Sequence, residues 1–297
     1  MMCCLLQCTL LQFTSLLITH NSLSSSVCSA SVYISAHHSQ YTILYHSSSA
    51  CSASAYSAAD DPLSIKNGLT LRVDAGLAAS YPGTGTTWCA LSGNGNHMYW
   101  SSNAAPLYTT FNGYGVLRTT PTTGTLSAIS TQTYNNLPTG SQSFSVVAVF
   151  KPNSLTPGTV LLSAGYPAAV SGLLVHSIII NGNVKFTGGA FGSLGTSAST
   201  VGIAASTSQY VVMVTTYDGT TESVYINGVL DKSATMTPAI PATGNKVVLG
   251  ASWDVGQNMD ADVGVVLMYN RALSALEAQQ LYNIYALRFN APTGNFH

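Results

Sequence analysis

Charged side chains are scarce in this chain. Lys, Arg, Asp and Glu make up only 6% of its 297 residues, and the formal net charge is −1. An average soluble protein has about 25% charged residues. Binding to nucleic acid depends on clustered Lys and Arg that neutralise phosphates, so nucleic acid is not an expected partner. The remaining polar surface of Ser, Thr, Asn, Gly and Tyr is soluble and packs against another copy at low desolvation cost.

Glutamate is the scarcest acid, with only Glu222 and Glu277 in the chain. Glycoside hydrolysis normally needs two carboxylates on either side of the scissile bond. Glu277 is assigned below to a helix cap. Glu222 lies at a strand start beside Asp218 and has no acidic partner at the second or fourth residue after it. The Gly-x-Ser-x-Gly turn of many serine hydrolases is also missing. No catalytic residue is therefore predicted, and glycoside hydrolase activity is a remote alternative.

Long apolar runs and evenly spread cysteines are missing as well. The most apolar stretch, residues 1–18, contains interspersed Gln, Thr and Ser and does not reach the ~18–20 apolar residues of a membrane span. Five of the six cysteines precede residue 60, and only Cys89 follows. Two interpretations of Cys89 stay open, namely a bridge to Cys51 and a small buried apolar residue.

Residues 1–61 form a low-charge arm or leader that is rich in Ser and Cys and contains no Lys, Arg or Glu. The apolar stretch followed by small residues is compatible with a secretory signal, although no basic residue precedes it. A cleaved propeptide and an arm that orders on assembly are the alternatives. In the last case Tyr33, Ile34, Tyr41, Ile43 and Leu44 would add a strand to the sheet edge of a neighbour.

Residues 62–290 show the repeated two-residue alternation of β-strands, and residues 291–297 form a C-terminal tail. In 143–150, for example, Phe144, Val146, Ala148 and Phe150 share one face. The Asn-Gly pairs at 181–182 and 227–228 predict tight hairpins. The other predicted strands cover residues 68–73, 159–164, 173–180, 184–187, 210–217, 223–227, 246–250 and 263–269. One helix is predicted after them, with a capping box formed by Ser274 and Glu277.

Several motifs, in order along the chain, resemble one family. They are Gly68–Gly76, Ser80–Trp88, Leu91–Asn96, Phe144–Pro152, Tyr210–Val229 and Leu267–Ser274. Together they resemble the laminin-G-like branch of the concanavalin A-like lectin/glucanase superfamily, which is found in secreted proteins and in structural proteins of phages and algal viruses. The resemblance implies an all-β fold, a two-sheet antiparallel jelly-roll sandwich with one short C-terminal helix.

Two kinds of binding residue are candidates. Tyr99, Trp100, Tyr108 and Trp253 are candidate stacking faces for sugar rings, and sealing of sandwich edges is the alternative role of such aromatics. Asp254, Asn258, Asp260 and Asp262 crowd one loop and are candidate calcium ligands, although capping of turns explains them equally. The family usually has acidic residues where Ala90 and Val265 stand, which argues against calcium. No cofactor is predicted to be required.

The sequence thus favours a non-catalytic structural or interaction module. Its expected partners are copies of itself or other structural proteins, and its expected location is a virion or an extracellular surface. The alternative is a glycan-binding lectin module for adhesion or host recognition. The absence of Asn-x-Ser/Thr sequons fits assembly outside the secretory route.

Overall fold

We describe a computed structural model of the chain, which divides into two compact units, residues 1–48 and 49–297. The structure describes residues 30–37, 40–47, 51, 63–100, 107–119, 129–131, 135–136, 138, 141–156, 159–165, 175–180, 186–191, 206–235, 246–251 and 258–292. Among them, no helix has the length and apolarity that a membrane span requires.

The first unit contains a single described hairpin. Strand β1 (Ala30–His37) pairs antiparallel with β2 (Gln40–Ser47), and the register runs from Ala30 opposite Ser47 to His37 opposite Gln40. Tyr33 lies opposite Leu44, and Ile34 lies opposite Ile43. Four of the five residues predicted to pair with a neighbouring molecule therefore pair with one another in this hairpin, and the fifth, Tyr41, pairs with Ala36.

The second unit is a sandwich of two antiparallel sheets. The eight-stranded sheet has the order β15-β14-β13-β9-β17-β7-β6. Strand β3 pairs with the later part of β17, on the same side as β7. Its strands are β3 (Leu69–Asp74), β6 (Leu107–Phe111), β7 (Tyr114–Thr119), β9 (Phe144–Pro152), β13 (Val211–Tyr217), β14 (Thr221–Ile226), β15 (Val229–Thr235) and β17 (Ala261–Tyr269).

The second sheet has seven strands in the order β12-β11-β10-β16-β8-β5-β4. These strands are β4 (Thr87–Trp88), β5 (Met98–Trp100), β8 (Ile129–Thr131), β10 (Val160–Gly165), β11 (Val175–Ile180), β12 (Phe186–Phe191) and β16 (Lys246–Leu249). The predicted all-β sandwich is confirmed, and the structure adds the hairpin of β6 and β7, which the sequence interpretation missed.

Side chains of β9 point alternately to the two faces of the sheet, and each face borders a separate hydrophobic core. Phe144, Val146, Ala148 and Phe150 belong to the core between the two sheets, as predicted from their spacing. Val147 and Val149 face the opposite way, into a second core beneath the helix. Because strand residues alternate between faces, the centre of the eight-stranded sheet is apolar and buried on both faces, whereas its edge strands β6 and β15 are largely exposed.

Helix α1 (Ala275–Phe289) covers that second face. The predicted capping box is confirmed, since the Ser274 side chain accepts from the backbone N–H of Glu277 while the Glu277 carboxylate accepts from the backbone N–H of Ser274. Asn290 ends the helix in the left-handed region, at φ 52°. Gly264 makes room for the ring of Phe289, because a Cβ there would collide with it.

A buried ion pair joins the same helix to the sheet. Arg288 donates to both oxygens of Asp74 at 2.7 Å, and the Asp74 side chain is fully buried. The Cys51–Cys89 bridge, one of the two interpretations left open by the sequence, is present as a disulfide with Cα atoms 5.3 Å apart.

Candidate functional site

The two central strands β9 and β17 run antiparallel, so their termini define two ends of the sandwich. One end, where β9 stops and β17 begins, carries the ionic cluster: Arg118, Lys151, Asn153, Asp260 and Asp262. The other end, where β9 begins and β17 stops, carries the asparagine loop, residues 92–96, and the amide pocket: Asn136, Pro138, Gln142, Ser143 and Asn270.

Asp262 is the centre of the ionic cluster. Arg118 Nε donates to its Oδ1 at 2.7 Å, Arg118 Nη2 donates to its Oδ2 at 3.1 Å, and Lys151 Nζ lies 3.3 Å from Oδ2. Asn153 Nδ2 donates to both Asp260 and Asp262, at 2.9 and 3.2 Å. Burial would raise the pKa of Asp262, but the hydrogen bonds and charges of these partners outweigh it and hold that pKa below its usual value.

These contacts bear on the predicted calcium ligands. Asp260 and Asp262 are brought together, but two cations already compensate the Asp262 carboxylate, and a further dication there would be repelled by both. Asn258 lies nearby on the chain with its Oδ1 buried and without a hydrogen-bond partner. Asp254 lies outside the described residues.

The predicted aromatic set is not gathered into one site. Trp100 is only 8% exposed and lies in the core between the sheets, with its ring centroid 6.4 Å from that of Tyr81. Tyr108 is half-buried, with its ring 5.6 Å from Tyr81. These rings close an edge between the sheets. Tyr99 is partly exposed and faces the opposite side of β5 from Trp100, whereas Trp253 lies outside the described residues.

The asparagine loop is bound to the fold by its own side chains. Asn96, which is fully buried, donates to the carbonyl oxygens of Thr70 and Asn135 at 2.8 and 3.1 Å and accepts from the backbone N–H of Asn135 at 2.8 Å. Asn94 donates to the carbonyl oxygens of Leu69 and Thr70, and Asn135 donates to the Asn94 carbonyl. The loop therefore fastens β3 to the segment that precedes β9.

That attachment positions the amide pocket, a cavity of about 590 Å³. Asn136 follows the anchored Asn135 and has a φ of 64°. Ser143 immediately precedes β9 and Asn270 immediately follows β17, so both are held by the central strands. The pocket presents three side-chain amides and one hydroxyl, and none of the described residues that line it is charged.

Amides and hydroxyls both donate and accept hydrogen bonds. An uncharged wall of this kind suits a neutral ligand with many hydroxyl groups, and its volume falls within the ~300–1,000 Å³ of ordinary ligand sites. The sequence interpretation missed this pocket. Its only signal was a set of polar residues just outside strand ends, Asn135-Asn136 and Asn270 among them, which turns explain equally well.

Five of the described carboxylates have structural roles. Asp74 binds Arg288, Asp260 and Asp262 belong to the ionic cluster, and Asp218 accepts from the backbone N–H groups of Thr220 and Thr221 within a turn. Glu277 binds Arg271 at 2.6 Å and closes the helix cap. The hydrogen bond from Arg271 is the main reason that the pKa of Glu277 falls to about 2.

Comparison with known proteins identifies the family to which this fold is similar. The family profile described as the concanavalin A-like lectin/glucanases superfamily, of the laminin-G type, matches residues 123–279. No curated protein sequence matches the chain.

Solved structures share the fold at low sequence identity. The binding domain of Paraclostridial Mosquitocidal Protein 1 is 14% identical with a TM-score of 0.56, and the match covers 74% of this chain and 53% of that one. Domain 4 of AbnA, an extracellular arabinanase from Geobacillus stearothermophilus solved with arabinotriose, is 18% identical with a TM-score of 0.55. That match covers 72% of this chain and 98% of the domain. This chain thus spans about half of the first structure and nearly all of the second.

Proposed function

The chain belongs to the concanavalin A-like lectin/glucanases superfamily, and from this premise we propose that it is a non-catalytic module that binds neutral carbohydrate in the amide pocket. The observation that carries the proposal is the wall of the pocket. It presents three amides and a hydroxyl, of which the Ser143 hydroxyl and the Asn270 amide adjoin the ends of the two central strands, and these groups match the hydroxyl groups of an uncharged sugar.

Two further facts support a binding role over catalysis. Among the described carboxylates, Asp74, Asp260, Asp262, Asp218 and Glu277 serve ion pairs, a turn and a cap, and the described residues that line the pocket include no acid or base to move a proton. Two fold relatives with TM-scores above 0.5 are the binding domain of a mosquitocidal protein and an arabinanase domain that was solved with arabinotriose. A third, a mutant Trypanosoma rangeli sialidase with trans-sialidase activity, has a TM-score of 0.51, and the match covers 32% of that enzyme. Fold alone does not fix function, so this likeness supports the proposal without deciding it.

Binding to an array of neutral oligosaccharides, arabinotriose among them, tests the proposal on the full-length chain. We expect saturable binding that weakens by roughly tenfold in Asn270→Ala and in Asn136→Gly, because each loses about 1–1.5 kcal/mol of hydrogen bonding to the ligand. Glycine is used at position 136 because it tolerates the positive φ there. Asn283→Ala, an exposed asparagine on the helix, is the matched control and should bind like the parent. If no neutral glycan binds, or if both pocket variants bind like the control, the proposal fails.

Reducing-sugar release from the bound glycan is the companion assay. The proposed function expects none, since no described pair of carboxylates faces the pocket. Release that persists in highly purified protein would instead favour the hydrolase alternative.

The place of action stays a prediction. A virion or extracellular surface fits the disulfide, because disulfides persist in oxidising surroundings. Association with other copies or other structural proteins is compatible with glycan binding. The native mass of the full-length chain, compared with that of a chain lacking residues 1–48, which keeps the Cys51–Cys89 disulfide, tests it. Loss of ordered oligomers on truncation would support an assembly arm.

A further inference from the structure

The disulfide has a third side chain beside it that the proposed function does not use. The candidate metal-ligand atoms of Cys51, Cys89 and His97 all lie within 4.8 Å of one another. Two sulfurs and an imidazole are the ligand types of Zn²⁺ in proteins.

The pairing of β4 with β5 fixes this arrangement. Thr87 lies opposite Tyr99 and Trp88 lies opposite Met98, so one further step of the same antiparallel register brings Cys89 opposite His97. Directly opposed residues in such a pair have Cβ atoms about 4.5–5.5 Å apart. Trp88 and Met98 both point into the core and are fully buried, so Cys89 and His97 lie together on the outer face of the sheet.

The backbone around both residues is firmly held. Ser80 accepts a hydrogen bond from the backbone N–H of Cys89 through its carbonyl, and its hydroxyl donates to the Cys89 carbonyl at 2.7 Å. On the other strand, His97 stands between the fully buried Asn96 and Met98. Two of the three ligands therefore do not depend on the disulfide for their positions.

His97 already presents a lone pair in this region. Its Nδ1 accepts from the backbone N–H of Ala90 at 3.0 Å, and an imidazole nitrogen that accepts a hydrogen bond carries no proton. Neutral imidazole is the form that binds metal. A metal at Nδ1 would take the place of the Ala90 N–H donor.

We propose that Cys51, Cys89 and His97 form a Zn²⁺ site when the disulfide is reduced, with solvent as the fourth ligand. Tetrahedral ligands at ~2.0–2.3 Å from zinc lie roughly 3.5 Å from one another, and rotation of the two cysteine side chains reaches this from the present spacing. The cluster then has two states, an oxidised disulfide and a reduced metal-bound form.

Reduction of the disulfide and binding of Zn²⁺ balance in electrons and protons. A thiol reductant supplies two electrons and two protons, the S–S bond breaks to give two thiols, and the reductant leaves as its own disulfide. Zn²⁺ then binds the two sulfurs as thiolates and releases their two protons to solvent.

The test uses the full-length chain with Cys3, Cys4, Cys8 and Cys28 replaced by Ser, so that no other thiol competes. A phosphine reduces the disulfide and is oxidised to its oxide with water as the oxygen donor. Co²⁺ is then titrated in as a spectroscopic probe, followed by Zn²⁺ in competition. We expect one metal per chain, with thiolate-to-cobalt charge-transfer absorption that Zn²⁺ abolishes, and no binding before reduction.

Three variants decide which residues bind. Cys51→Ser should abolish the charge-transfer band or reduce it sharply, and His97→Gln should weaken binding by about tenfold or more, while the Gln carbonyl can still accept from Ala90. His176→Gln is the control histidine and should bind like the parent. Circular dichroism follows the fold throughout.

The proposal is overturned by any of three results. The first is a reduced, folded chain that binds no stoichiometric metal, and the second is equal affinity in His97→Gln and the parent. The third is unfolding on reduction, since the site would then not exist in the dithiol state. None of these results bears on glycan binding to the amide pocket, which is tested with the disulfide intact.

Discussion

The two ends of the sandwich hold neighbouring segments together with different chemistry. At one end, Asp262 holds two cations and an amide close to the start of β17. At the other, Asn96 and Asn94 fasten β3 to the segment before β9 through neutral amides alone. A neutral attachment does not respond to pH or salt, so the asparagine end keeps its geometry under conditions that weaken the ionic end.

This difference also separates the surfaces that the two ends offer. The ionic cluster is closed on itself, because each charge is compensated by a neighbour. The amide pocket has donors and acceptors around a cavity, and the described residues of its wall carry no charge to compensate. In the described part of this weakly charged chain, Asp74, Asp262 and Glu277 take part in structural ion pairs, and the proposed recognition of a ligand rests on amides and a hydroxyl.

The largest effect is expected from Asn96→Ala at the neutral end. The variant loses three hydrogen bonds from a fully buried side chain and leaves the Thr70 carbonyl and the Asn135 N–H without this partner, so we expect a loss of about 2–4 kcal/mol in the free energy of unfolding. Urea denaturation measures it. Asn94→Ala, with longer bonds from a partly exposed side chain, should lose clearly less. Equal losses would contradict the distinction between the two asparagines.

A smaller effect is expected from Asp262→Asn at the ionic end. Arg118 and Lys151 lose their shared carboxylate, and both are partly exposed, so water replaces some of the lost interaction. We expect a loss of about 1–3 kcal/mol in the same denaturation assay. Asp218→Asn is the control, because an asparagine can still accept in that exposed turn. A loss as small as that of the control would show that the ionic cluster adds nothing to stability.

The smallest effect is expected in the pH dependence of the difference in unfolding free energy between the parent and Asp262→Asn. The folded pKa of Asp262 lies below its unfolded value of about 3.9. Its contribution is therefore present above that unfolded value and is lost as the pH falls through the folded pKa. The gap in unfolding free energy between the parent and Asp262→Asn should be constant from pH 7 to about 5 and should narrow below about 4. A gap that widens in acid would reverse the assigned sign.

Local signals in the sequence were sufficient for much of the fold. The alternation of residues 143–150 identified a strand and its inward face, and Asn227-Gly228 forms a turn with φ values of 51° and 79°. Asn181-Gly182 lies outside the described residues. The same signal at Asn112-Gly113, with φ values of 49° and 82°, marks the hairpin of β6 and β7 and was overlooked.

The candidate sites were harder to predict because they depend on contacts between distant segments. The sequence indicates a loop acid at Asp262, whereas in the fold Arg118 and Lys151 lie beside it. It likewise indicates a surface aromatic at Trp100, which in the fold packs near Tyr81. The amide pocket joins residues around 136–143 to Asn270, a separation that no local pattern reports. The Cys89–His97 pair, in contrast, follows from strand register once β4 and β5 are known to pair.

The position of β17 has a consequence for the time course of folding. It is the last strand of the chain, yet it pairs with β9 on one side and with β7 and β3 on the other. The centre of the larger sheet therefore cannot close until residues 261–269 have been synthesised, and at ~5–20 residues per second the early strands wait for many seconds. Contacts between segments so far apart in sequence also slow the closure itself. During that interval the edges of β3 and β9 are exposed, and the nascent chain is most vulnerable to aggregation just before its last strand emerges.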